Sequence, residues 1–140
     1  MADGSDFGRS MSIASSGLRA QAGRMRVISE NIANADSTAK TAGGDPYRRK
    51  VPTFSSELDR TLDAQVVTLG KIKPDTSDFR VKHEPGNPAA DASGNVKYPN
   101  VNSLVEMTDM REAQRSYEAN LNIISATRRM IQRTLDILKA

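Results

Sequence analysis

The side chains with chemical potential are few and scattered. His83 is the only histidine and there is no cysteine, so a metal site would need carboxylates, and none falls at a diagnostic spacing. The acidic pairs Glu57/Asp59 and Asp75/Asp78 read as solvated loop residues rather than as a hydrolytic acid–base pair. Asp91-Ala-Ser-Gly94 opens like a calcium loop but lacks the repeated acids and the closing bidentate glutamate. No glycine-rich phosphate loop, nucleophile elbow or two-histidine zinc motif occurs. The run Glu30-Asn-Ile-Ala-Asn-Ala-Asp-Ser-Thr38 offers neutral amides with no neighbouring base, which are poor catalysts. Arg48-Arg49-Lys50 is a short basic patch, either a solvated edge or a contact for an acidic partner. The expectation is no catalytic residue, no metal and no cofactor.

Composition agrees. The chain has 140 residues, 4% aromatic and 37% hydrophobic, with no tryptophan. That length suits one modest domain, and two long helices would leave little chain for a separate large core. Mean hydropathy is −0.55. The net charge of +3 comes from 20 basic and 17 acidic residues with interspersed signs, so no basic block reads as a nucleic-acid arm. No run approaches the ~18 apolar residues of a membrane span. The start, Met1-Ala-Asp-Gly-Ser-Asp-Phe-Gly-Arg9, lacks a basic segment followed by an apolar one and is not expected to be a cleavable signal. By this reading the protein is cytosolic or leaves without signal cleavage.

The elements that organise the chain lie at its ends. From Asn102 to Leu138 large residues recur at alternating gaps of four and three, through positions 103, 107, 110, 114, 117, 121, 124, 128, 131, 135 and 138. This heptad seam keeps one stripe of a helix facing a partner. Ser103, Gln114 and Arg128 interrupt it, either as a wet stretch or as residues that fix register. Acids lie early and Arg128, Arg129, Arg133 and Lys139 late, which suits the helix dipole. Such a rod, about 55 Å long at ~1.5 Å per residue, needs another helix to cover its stripe. A second heptad runs through Met11, Ala14, Leu18, Gln21, Met25, Ile28, Ile32 and Ala35. Ser5 or Asp6 is a candidate cap after a polar, mobile lead-in. Gly17 and Gly23 each cost up to about 1 kcal/mol in a helix interior, and would let another backbone come close. The Asn-rich run ends this helix, because Asn and Asp tolerate left-handed conformations and bond nearby backbone.

The middle is expected to hold a small β element with long connections. Tyr47 to Phe54 is an edge-strand candidate limited by Pro52. Leu58 and Leu62, four apart, suggest a short helix over Phe54–Asp63. Gln65–Ile72, Phe79–Lys82 and Asn95–Tyr98 read as strands. His83 to Gly94 is a loop punctuated by Pro and Gly. Asn100 or Asn102 can cap the final helix. The fold class is therefore mainly α, with long terminal helices forming a coiled-coil pair. Its organisation is residues 1–40 and 101–140 as helices, with 41–100 as the β-containing middle.

Ser16-Gly-Leu-Arg-Ala-Gln-Ala22 leading into Val27-Ile-Ser-Glu-Asn-Ile-Ala-Asn-Ala-Asp-Ser-Thr38 resembles the N-terminal signature of the bacterial flagellar basal-body rod proteins. Asp36 departs from the asparagine often found there. Phe79-Arg-Val to Glu84-Pro-Gly-Asn-Pro88, Tyr98-Pro-Asn-Val-Asn102, Val105-Glu-Met-Thr-Asp-Met110 and Arg115-Ser-Tyr-Glu-Ala-Asn120 are similar to the proximal-rod members in particular. The resemblance covers nearly the whole chain. It implies a structural subunit without enzymatic activity, exported through the flagellar type III apparatus without a cleaved signal. Its helices would line a hollow driveshaft crossing the periplasm, with the middle segment facing outward. Implied partners are copies of itself, other rod proteins, and basal-body ring and export-gate components. The candidate subunit-interface residues are Leu18, Met25, Ile28, Asn31, Ile32, Asn34, Met107, Met110, Tyr117, Leu121, Ile124, Ile131, Leu135 and Leu138. A soluble helical adaptor or export chaperone is the competing reading, and would differ in being stable as a monomer or dimer.

Overall fold

Two helices hold nearly half of the chain, and short strands and turns connect them. The computed structural model describes residues 4–140, with side chains from Asp6 onward. Of the lead-in expected to be mobile over Met1–Gly8, residues 1–3 lie outside the described residues, and Gly4–Gly8 are instead the first residues of a helix. Helix α1 spans Gly4–Ala33 and helix α2 spans Ser103–Lys139. α1 already contains Ser5 and Asp6, so neither is its cap. Asn102 caps α2: its Oδ1 accepts the backbone N–H of Leu104 at 3.1 Å and of Val105 at 3.4 Å. α1 ends in the Asn-rich run, where Asn34 Nδ2 donates back to the Glu30 carbonyl at 2.8 Å and Ser37 Oγ donates to the Asn34 carbonyl at 2.9 Å.

Between the helices lie β1 (Lys50–Val51), β2 (Phe54–Asp59), β3 (Ala64–Leu69), β4 (Lys73–Pro74), β5 (Arg80–His83) and β6 (Asn95–Tyr98). They form three antiparallel two-stranded ladders, β1 with β4, β2 with β3 and β5 with β6. The edge strand expected over Tyr47–Phe54 contracts to the two residues of β1, ahead of Pro52, which has no N–H to pair.

The short helix expected over Phe54–Asp63 is absent: Phe54–Asp59 is a strand followed by a turn. A single Leu58/Leu62 pair is a weak helical signal. It is outweighed by residue-for-residue pairing with β3. Hydroxyl and amide bonds across the ladder, Ser55 to Thr68 and Ser56 to Gln65, both at 2.8 Å, add to it. Asp59 Oδ1 then accepts the N–H groups of Thr61 at 2.9 Å and Leu62 at 3.3 Å, an Asx turn that closes the hairpin.

The chain divides into two compact units. The first takes Met1–Met25, Thr53–Lys71 and Glu112–Ala140. Its buried residues are small or hydroxylic: Ala14, Ser16, Ala20, Ala113 and Thr127. A β-carbon at Gly17 would stand 2.8 Å from Asn120 Nδ2, and Arg24 meets Glu112 at 3.5 Å. The α2 partner moves backward as α1 advances, so the helix segments run antiparallel in this unit. A β-carbon at Gly23 would stand 2.6 Å from Leu69 Cδ2 of β3. The glycines therefore admit side chains, not a second backbone. Ser16 Oγ accepts the Val67 N–H at 3.3 Å and donates to the Ile13 carbonyl at 2.7 Å, tying β3 to α1.

The second unit takes Arg26–Pro52 and Ile72–Arg111. Val27, Ile28, Ala35, Val96, Tyr98 and Val101 are buried in it. Tyr98 presents its hydroxyl to Glu84 Oε2 at 2.9 Å, and Lys82 Nζ lies 4.8 Å from the centre of its ring.

Candidate assembly interface and its polar anchor

The second unit is fastened by a polar knot. Asn31, on the last turns of α1, is fully buried with every hydrogen-bonding position used. Its Nδ2 donates to the Lys50 carbonyl at 2.8 Å and to Glu106 Oε2 at 3.1 Å. Its Oδ1 accepts the Lys50 N–H at 2.9 Å and the Tyr47 hydroxyl at 2.8 Å. The amide thus takes both backbone groups of Lys50, as a neighbouring strand would. A buried amide with full valence resists movement, because each unmade bond costs about 1–3 kcal/mol.

Glu106, on the first turns of α2, is 0% exposed. Its other oxygen, Oε1, accepts from Arg49 Nε. Arg49 also reaches Asp75 at 3.3 Å and Asp109 at 3.9 Å, and its backbone N–H donates to Asn100 Oδ1 at 2.8 Å. Asn100 Nδ2 in turn donates to the carbonyls of Asp75 and Ser77, both at 3.1 Å. Burial lowers the affinity of Arg49 for its proton, but the bond to Glu106 and the charges of Glu106 and Asp75 outweigh this, so its pKa rises. Burial, with the nearby Glu30 and Glu106 charges, pushes the Tyr47 hydroxyl up to about 12. Hydrogen bonds from the Ser77 backbone and hydroxyl hold Asp75 below the usual carboxylate range. These contacts all lie within the unit, so the arrangement fixes its α1, β1 and α2 segments against one another. Among the described residues no cluster of three or more His, Cys, Asp or Glu side chains could hold a metal ion.

Of the fourteen expected interface residues, Asn31 is taken up by this knot and Ile28 is buried. Leu18, Met25, Ile32, Asn34, Met110, Tyr117, Ile124 and Ile131 are half-buried, while Met107, Leu121, Leu135 and Leu138 are exposed within the chain. The inward stripe of α2 therefore differs from the expected seam. It runs through Glu106, Met110, Ala113, Tyr117, Asn120, Ile124, Thr127 and Ile131. One heptad column is shared with the expectation. In the other, Glu106, Ala113, Asn120 and Thr127 replace Met107, Gln114, Leu121 and Arg128, one residue earlier. Small and polar side chains suit close approach to α1: Asn120 fills the space left by Gly17. The sequence signal that would have found this column is its own seven-residue recurrence of small and polar types, which a search for apolar residues passes over.

The displaced apolar residues face outward. Leu121 is 41%, Ile137 74% and Leu138 77% exposed. At about 100° per residue, the apolar side chains between Leu121 and Leu138 span an arc of roughly 200°, about twice the stripe of an ordinary surface helix. Thr127, Ile124 and Ile131 in the middle of the arc are at least half-buried. Leu121 and Leu135 flank it on one side, and Ile123, Met130 and Ile137 on the other. Such an arc fits a helix that is covered from more than one direction. No helix among the described residues is long and apolar enough to cross a membrane.

Comparison with known proteins finds matches at both ends of the chain. Residues 11–39 match the family described as flagella basal body rod protein, and residues 92–137 match the C-terminal region of the flagellar basal body rod FlgEFG proteins. The chain is 56% identical over 128 residues to the flagellar basal-body rod protein FlgC of Agrobacterium fabrum, covering 91% of this chain and 92% of that protein. It is 39% identical over 145 residues to that of Bacillus subtilis, covering 93% and 97%. It is 37% identical over 125 residues to that of Salmonella typhimurium, covering 89% and 92%.

Proposed function

The chain belongs to the FlgC family of flagellar basal-body rod proteins and is a structural subunit of the basal-body rod, and from that premise we propose that it builds the proximal rod by packing its two terminal helices against neighbouring subunits as coiled-coil layers. It assembles with copies of itself and with other rod proteins. In this proposal the helices line a hollow driveshaft that transmits torque and passes exported subunits, while the β-containing middle faces outward. The subunit reaches the periplasm without cleavage of a signal peptide, meets ring and export-gate components there, and catalyses nothing. The adaptor reading is not favoured, since the relatives carry the name of rod proteins.

The observation that supports this mode of assembly is the exposed apolar arc on α2. Covering one Leu, Ile or Met side chain contributes about 1.5–3 kcal/mol, so a helix leaving five or more of them in water gains most of its stability from neighbours. The first unit has little else, because its buried residues are chiefly alanines and hydroxyl side chains. The free monomer should therefore order its helix ends only on assembly, a coupled folding and binding event. Leu121→Asp tests the interface. Leu121 is exposed within the chain, so the subunit should still be made and exported, while a buried charge at the contact blocks incorporation. Normal rods and motility in that variant would refute the interface.

A further inference from the structure

Two strand edges of this protein are open, and they are complementary to each other. The backbone bond from Gly70 N–H to the Thr53 carbonyl, 2.7 Å, sets the alternation of the β2–β3 ladder. The backbone groups of Phe54, Ser56 and Leu58 therefore point to the outer edge of β2. The outer edge of β3 is occupied, since Val67 N–H donates to Ser16 Oγ. That of β2 has no strand beside it among the described residues, and five of its six residues are exposed. It also lacks the lysine or proline that usually blunts such an edge.

The same hydrogen-bond alternation applies to β5, although this strand does carry a lysine, Lys82, which an acidic partner strand would have to neutralise. The bond from Glu84 N–H to the Gly94 carbonyl, 2.8 Å, leaves the backbone groups of Val81 and His83 pointing outward. All four residues of β5 are exposed and no strand lies on this side among the described residues. β2 carries Glu57 and Asp59; β5 carries Arg80 and Lys82. The alternation agrees as well: each strand places its charges on one face and Leu58 or Val81 on the other.

We infer that β2 of one copy pairs antiparallel with β5 of the next, in a register that sets Leu58 opposite Val81 and Glu57 opposite Lys82. This rests on the reading that the chain assembles with copies of itself, and adds a second, strand-mediated contact to the helical one. In that register Leu58/Val81 and Ser56/His83 are the hydrogen-bonded pairs, because these are the residues whose backbone groups face outward on both edges. Glu57/Lys82 falls at a non-hydrogen-bonded pair, where side chains come closest. Asp59 comes opposite Arg80, a weaker pair, because Arg80 already donates to the Ala35 carbonyl at 2.8 Å and the Pro99 carbonyl at 3.1 Å. One step on, Phe54 meets Pro85, whose missing N–H ends the ladder. The contact is heterologous, joining different surfaces, so it propagates along an array instead of closing a dimer.

The chain has no cysteine, so crosslinking is free of background. Glu57→Cys and Lys82→Cys full-length subunits are co-expressed and the isolated rods oxidised. A non-hydrogen-bonded pair has its Cα atoms about 4.5 Å apart, within the roughly 4.4–6.8 Å that a disulfide spans. A covalent dimer is expected with both variants present and not with either alone. In parallel, Glu57→Lys and Lys82→Glu should each lower incorporation roughly tenfold through like-charge repulsion, and the double exchange should restore it. Absence of the mixed dimer, or charge variants that incorporate normally, overturns the pairing. If Leu121→Asp still blocks rods in that case, the helical assembly stands and only the strand contact is wrong.

Discussion

Arg49→Met would cut the polar knot at the cation that pairs with Glu106. Glu106 is 1% exposed at the side chain and loses the Arg49 Nε–H that neutralises its Oε1, retaining the Asn31 amide on Oε2. Removing one member of a buried ion pair costs about 3–5 kcal/mol, because the remaining charge stays buried without a partner. Arg49 is itself 21% exposed, so water can enter the space it leaves, which places the expected loss at the low end, about 3 kcal/mol. At roughly 2–4 °C per kcal/mol for a chain of this size, the melting temperature should fall by about 6–12 °C. Circular dichroism on the purified monomer, followed in heat and in urea, measures it. The companion Arg49→Met/Glu106→Leu removes both charges and should recover most of the loss, less about 1 kcal/mol for the Asn31 donor left without its acceptor. A single variant that melts within about 2 °C of the parent, or a double variant less stable than the single, would refute the idea that this pair anchors the unit.

High pH should loosen the same knot. Tyr47 holds its proton to about 12 in the folded chain against 10.0 ordinarily, so its contribution is complete below pH 10 and lost as pH rises through 12. Two pKa units would be worth about 2.7 kcal/mol, which solvent at this half-buried hydroxyl screens to roughly 1 kcal/mol, and Tyr47→Phe should flatten that limb of a stability–pH curve. Acid acts through Asp75, whose pKa the Ser77 bonds lower; stability should fall as pH drops through the carboxylate range, and less so in Asp75→Asn. Gly17→Ala alone should gain little, because its β-carbon meets the Asn120 amide at 2.8 Å, but in an Asn120→Ala background it should add up to about 1 kcal/mol of helix stability, as a double-mutant cycle in urea would show. Asn34→Ala removes the bond to the Glu30 carbonyl; about 1 kcal/mol or less of monomer stability is at stake, and we expect normal export with poor rod incorporation if its amide also bonds a neighbouring subunit, scored by rod yield.

The heptad gaps of the two ends determined by themselves that long helices stand there, and the Asn-rich run and Asn102 marked where one stops and the other starts. These are local properties: helix periodicity, capping and turn chemistry act within a few residues. The β character of the middle was legible too, at Gln65–Ile72, Phe79–Lys82 and Asn95–Tyr98. Phe54–Asp59 was not, because its state depends on a partner strand ten residues away that outweighs one Leu58/Leu62 spacing. Only the tertiary structure decided which side of α2 turns inward. A heptad repeat identifies apolar columns but does not say whether the partner is the same chain or another. Here the column of Glu106, Ala113, Asn120 and Thr127 turns inward, with Glu106 bonded to Asn31 and Asn120 beside Gly17 of α1, and the larger residues at 107, 121 and 135 are left outside. Asn31 likewise read as a turn residue, and became the centre of a buried network only because folding carried Tyr47, Lys50 and Glu106, the last of them 75 residues away, to its one amide.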